Sequence, residues 1–94
     1  MHDLNTLKNF AKDVIQKRYG HLTTIQGVKD AAAKKDYLLC TALDTFGSTK
    51  LPEKNRGQAK AYLSTINSGI SNTLNDRDWQ QIVDWINSYL LNQF

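Results

Sequence analysis

An all-α fold, an antiparallel four-helix bundle, is what this sequence predicts, and three observations predict it. Apolar residues recur at spacings of three and four along most of the chain, the period that lines one face of a helix. No stretch alternates apolar and polar residues for long enough to argue a strand. The connections at residues 20–23, 47–51 and 74–75 are short, and short connections make consecutive helices antiparallel neighbours.

The first helix is expected over about residues 3–19, from the stripe Leu4, Leu7, Ala11, Val14 and Ile15. Gly20 stands where a helix commonly stops in the left-handed conformation. Thr23 or Thr24 can cap a second helix whose stripe is Ile25, Val28, Ala32, Leu39, Leu43 and Phe46, closed by Gly47. At 100° per residue Asp36 falls inside that stripe, where an unpaired carboxylate is costly. The second helix is therefore expected to bend or break near Lys34–Asp36, with Asp36 restarting it as N-cap.

Pro52 suits the first turn of a third helix, because its missing N–H has no partner there in any case. That helix should bury Ala59, Tyr62, Leu63, Ile66, Ile70 and Leu74, and turn Gly57, Ser64, Ser68 and Ser71 outward. Asn75 is a strong N-cap with Asp76 and Asp78 in the positive first turn, and Leu74 and Trp79 are spaced as a hydrophobic staple. The last helix should bury Trp79, Ile82, Val83, Ile86, Leu90 and Gln93. Trp85 lies about 100° from the middle of this stripe, which puts it at an edge or outside.

The 94 residues, with 40% hydrophobic and 22% charged side chains, read as one globular domain over residues 1–94. A chain of this size buries only about 60–65% of its unfolded surface, which disfavours a deep active-site cavity. Twelve Lys and Arg against nine Asp and Glu give a net charge of +3, a bias toward anionic surfaces that falls short of a dedicated nucleic-acid binder. The single cysteine, Cys40, has no partner for an internal disulfide, which favours a reducing, cytoplasmic location. The N-terminal segment lacks the apolar centre of a signal peptide. The longest uncharged stretch, Ala61 to Asn75, carries too many Ser, Thr, Asn and Gly to span a membrane.

For nucleophilic chemistry the candidates are Cys40 with His2 or His21, but Cys40 adjoins the apolar stripe, where a free cysteine behaves as a small hydrophobe. Two histidines and one cysteine show no close metal-ligand spacing. Asp76 and Asp78 are accounted for by capping, and no glycine-rich phosphate loop is present. The expectation is a protein with no catalytic residues, metal or cofactor. Charge is nevertheless uneven: residues 48–74 hold Lys50, Lys54, Arg56 and Lys60 against Glu53, while residues 75–94 are net acidic. That basic cluster could meet phosphate or an acidic partner, or simply face water. Trp85, Tyr89, Leu91 and Phe94 likewise could dock a partner or a membrane interface, or wrap the bundle's edge. Helix-turn-helix recognition of DNA is disfavoured, because the basic cluster has no obvious partner helix.

The run Leu63-Ser64-Thr65-Ile66-Asn67-Ser68-Gly69-Ile70-Ser71, the turn Leu74-Asn75-Asp76 and the apolar helix after it resemble the immunity proteins of class IIa bacteriocins, the enterocin A immunity family. These carry a similar Leu-Ser-x-hydrophobic-Asn-x-x-Ile-Ser run on the third of four helices, and the likeness covers about residues 36–90. It implies a cytoplasmic, non-enzymatic protein that protects a producer cell from its own peptide. Its partner would be the receptor permease, of the mannose phosphotransferase type, with bound bacteriocin, approached from the inner face of the membrane. Because the C-terminal half sets which peptide is resisted, the contact residues would be Lys50, Lys54, Arg56, Lys60 and Trp85. The alternative is a small phage or mobile-element regulatory module binding protein or DNA, since the Arg56–Leu63 region and the final aromatic helix also resemble the C-terminal domain of phage antirepressors.

Overall fold

The computed structural model describes residues 3–91. Within them five α-helices follow one another: α1 (Leu4–Tyr19), α2 (Ile25–Ala33), α3 (Tyr37–Thr45), α4 (Glu53–Asn67) and α5 (Asp76–Trp85). Short 3₁₀ turns at Gly20–Leu22 and Ser71–Thr73 join α1 to α2 and α4 to α5, and π-helical turns at Phe46–Lys50 and Ile86–Leu91 extend α3 and α5. No strand occurs among the described residues, so the fold is all-α. Counted with α2 and α3 as one broken helix, it is broadly consistent with the four-helix bundle expected from the sequence, except that α1 lies outside the core.

The break falls where the carboxylate demands it. Asp36 Oδ1 accepts the backbone N–H groups of Leu38 and Leu39 at 2.8 and 3.2 Å, satisfying donors that the new helix would otherwise leave unpaired. Its Oδ2 lies 3.3 Å from His21 Nε2. Helix α2 ends in a Schellman arrangement, with Asp36 N–H donating to the Ala31 carbonyl at 2.9 Å and Lys35 N–H to Ala32 at 3.1 Å. The left-handed position is filled by Lys35, at φ 51°. Helix α4 ends the same way, Ile70 N–H donating to Thr65 and Gly69 N–H to Ile66, with Gly69 at φ 78°. Asn75 caps α5 through a full capping box with Asp78, at 2.9 and 3.1 Å.

Several local expectations are corrected. Gly20 is right-handed at φ −58°, because the chain tightens into a 3₁₀ turn that Thr23 closes by donating both its N–H and its hydroxyl to the Gly20 carbonyl. Gly47 does not end its helix. It lies inside the widened turn Phe46–Lys50, where a Cβ would stand 2.6 Å from Lys60 Cγ and 3.3 Å from the Arg56 carbonyl oxygen, so glycine serves close approach to α4. The third helix stops at Asn67 rather than continuing toward Leu74, so the run Leu63–Ser71 is half helix and half connection, and Ile70 is exposed. Pro52 is the N-cap rather than a first-turn residue.

One hydrophobic core lies between α2, α3, α4 and α5, with Leu22, Val28, Leu39, Leu43, Phe46, Ile66, Ile82 and Ile86 fully buried. Trp85 belongs to it at 4% exposure, contrary to the expected edge position. Helix α5 is covered by α2 on one side and by Phe46 and Tyr62 on another, so its buried arc is about 160° wide rather than a single stripe. Leu90 is half-buried, while Gln93 and Phe94 lie outside the described residues. Helix α1 contributes no buried residue. It meets the body at the turns 20–22 and 86–91, with Ile15 and Tyr19 half-buried. The radius of gyration, 14.0 Å, exceeds the roughly 12–13 Å of a sphere-like domain of this length, as a projecting helix requires.

Candidate functional site

The expected contact residues separate into three environments. Arg56 is half-buried, and its Nε–H donates to the Leu51 carbonyl at 2.9 Å, so the guanidinium ties the end of the π-helical turn to the first turns of α4. Lys60, one helical turn later on the same side, is exposed and lays its stem against Gly47. Lys50 closes the turn 46–50 and is also exposed. These three cations therefore gather where that turn packs on α4. Lys54 is exposed but lies on the other flank of the buried face formed by Ala59, Tyr62 and Ile66, well over 100° round the helix from Arg56 and Lys60. Trp85 lies in none of these places. Its indole sits 6.2 Å from the Phe46 ring and 5.7 Å from the Tyr62 ring, centroid to centroid, and it joins the core instead of a contact surface.

Sequence periodicity did not reveal a cleft of about 360 Å³ lined by Lys29, Ala33, Ser71, Asn72, Leu74 and Trp79. At this cleft the Lys29 ammonium donates to Asp76 Oδ1 at 3.3 Å, joining residues 47 apart in the chain. The cleft is built by folding the α4–α5 connection onto α2, a long-range event with no local sequence signal. Leu74 and Trp79, paired in the sequence as a staple, meet here.

The groups considered for chemistry take structural roles. The Cys40 thiol donates to Asn67 Oδ1 at 3.7 Å. Burial first, and then the Asp36 carboxylate, push that thiol up from its ordinary value, which keeps it protonated and opposes a nucleophilic role. His21 points to Asp36, and His2 lies outside the described residues. Tyr62 donates its hydroxyl to Asp78 Oδ1 at 3.0 Å, and burial, followed by that hydrogen bond and the Asp78 charge, pushes the phenol up to about 12. One carboxylate thus serves both the α5 capping box and the link to α4. Among the described residues no cluster of three or more His, Cys, Asp or Glu is placed to hold a metal ion, and no helix is long and apolar enough to cross a membrane. Comparison of the chain with protein-family models, with curated proteins and with solved structures finds no match in any of the three.

Proposed function

We propose that this chain is an immunity protein that protects its cell from a class IIa-type bacteriocin, by binding without catalysis at the cytoplasmic side of the receptor permease that holds the peptide. The observation that carries the reading is the run Leu63–Ser71 followed by the turn into the capped helix at Asn75, in the order and spacing that resemble the enterocin A immunity family. An all-helical chain without strands among its described residues agrees with that resemblance. The contact surface would be the exposed cations Lys50 and Lys60 beside the turn 46–50, with Lys54 on the adjoining flank of α4. Arg56 would set the shape of this surface through its bond to Leu51.

The test is survival of a bacteriocin-sensitive host that expresses the chain, challenged with a panel of class IIa peptides beside an empty-vector control. Selective protection is expected, and Lys54→Glu with Lys60→Glu should reduce it at unchanged expression and helicity, because both side chains are exposed. Trp85 is a poor probe of contact, since it is buried and its replacement would destabilise the core. Folded protein that protects against no peptide of the panel overturns the reading. Duplex-DNA association that weakens with salt would instead favour a mobile-element regulator.

A further inference from the structure

The helix that places no fully buried residue in the core has the composition of a surface seeker. Along α1, Leu4 is 65% exposed, Leu7 52%, Phe10 70% and Val14 47%, and at 100° per residue these four occupy one arc of about 120°. Lys17 borders this arc on one edge and Lys8 on the other, while Arg18, in the last turn, falls within it at the C-terminal end of the helix. The helix carries four cations, Lys8, Lys12, Lys17 and Arg18, against the single acid Asp13, which pairs with Lys17 at 3.3 Å. Asp3 caps its start by accepting from Thr6 N–H. Among the described residues no carboxylate lies within ion-pair reach of Lys8, Lys12 or Arg18.

We infer that α1 docks on an anionic phospholipid bilayer, lying in the plane of the interface with Leu4, Leu7, Phe10 and Val14 inserted and its flanking cations among the headgroups. An exposed apolar arc bordered by lysines is what such an interface selects. The geometry permits it: Ile15 and Tyr19, which face the body, lie roughly 80° and 120° round the helix from the middle of the arc, so the body stands to one side of the inserted face. A second copy of the chain fits less well. The exposed apolar area is on the order of 400 Å², about half of what each partner contributes to a stable dimer, and two helices of net charge +3 repel. This inference is independent of the immunity reading, which concerns the other end of the chain.

The experiment is co-sedimentation of the full chain with vesicles of phosphatidylcholine alone and of phosphatidylcholine with roughly a third phosphatidylglycerol. Binding is expected only to the anionic vesicles, and raising the salt should weaken it. Leu7→Ser with Phe10→Ser should lower the apparent affinity at least about tenfold, as should Lys8→Glu with Lys17→Glu. All four side chains are exposed, so far-UV circular dichroism should confirm that both variants stay folded. Absence of association, or equal binding by the folded apolar double variant, overturns the inference. So does a concentration-dependent dimer in sedimentation equilibrium that the same variant dissolves, which would assign the face to a second copy.

Discussion

At the scale of single residues, the aromatic centre decides both stability and what mutagenesis can report. Trp85, wedged against Phe46 and Tyr62 at 4% exposure, should cost about 3–5 kcal/mol on replacement by alanine, read as a lower urea midpoint at unchanged slope, whereas Lys54→Ala should stay within about 0.5 kcal/mol. Tyr62 makes a second, pH-dependent prediction. Its phenol is raised from an ordinary 10.0 to about 12, so the folded protein holds that proton more tightly than the unfolded chain does. Its contribution is complete below about pH 10 and is lost as the pH climbs to about 12. Tyr62→Phe should cost about 1–2 kcal/mol at neutral pH and should flatten this alkaline decline in denaturant titrations across that range. Neither residue's partner was legible in the sequence. A helical wheel assumes one covering surface and so puts Trp85 at an edge, whereas α5 is covered from two directions. The Tyr62–Asp78 bond spans 16 residues, and Asp78 looked fully explained by capping.

At the scale of elements, local chemistry wrote its boundaries plainly where a side chain does the capping. Asp36 and Asn75 were both readable, because a carboxylate or amide at a helix start has one satisfying use. Asp36→Ala should therefore cost about 1–2 kcal/mol, and Asp36→Asn, which keeps an acceptor for Leu38 and Leu39, should recover most of that loss. The helix ends were less readable, since a Schellman stop depends on a backbone angle that many residues tolerate at a cost. Gly69 carries that signal inside the run Leu63–Ser71, but the three-four spacing continues through Ile70 and masks it. Lys35 carries no signal at all. The two ends make a matched pair: Lys35→Gly should stabilise the chain by about 1 kcal/mol and Gly69→Ala should destabilise it by a similar amount, in thermal unfolding under one set of conditions. Equal effects of the same sign would mean that contacts outside the caps dominate at these positions. The basic cluster was legible only as a composition. Its division, with Lys50, Arg56 and Lys60 beside the turn and Lys54 across the helix, follows from the approach of Gly47 to α4, which only the folded chain reveals.

At the scale of the whole molecule, the first helix separates local pattern from tertiary use. Its spacing of Leu4, Leu7, Ala11, Val14 and Ile15 correctly forecasts a helix over 4–19, yet the same spacing gives no account of whether the face is covered, and in the folded chain Leu4, Leu7 and Val14 are exposed while Ala11 and Ile15 are only half-buried. A helix of 16 residues that buries none of them has little beyond its intrinsic propensity to hold it, and helices of that length are marginal in water. Hydrogen exchange read by mass spectrometry should therefore show amides of residues 4–11 exchanging on the order of 100-fold faster than those of 39–46 and 79–86. Residues 12–19 should be intermediate, since Ile15 and Tyr19 are half-buried. Uniform protection from α1 to α5 would mean that its apolar face is covered in solution by a partner or a second copy. If lipid is the occupant, addition of anionic vesicles should raise protection in residues 4–19 while leaving the core segments unchanged, because the core is complete without α1 and only the projecting helix has unsatisfied apolar surface to lose.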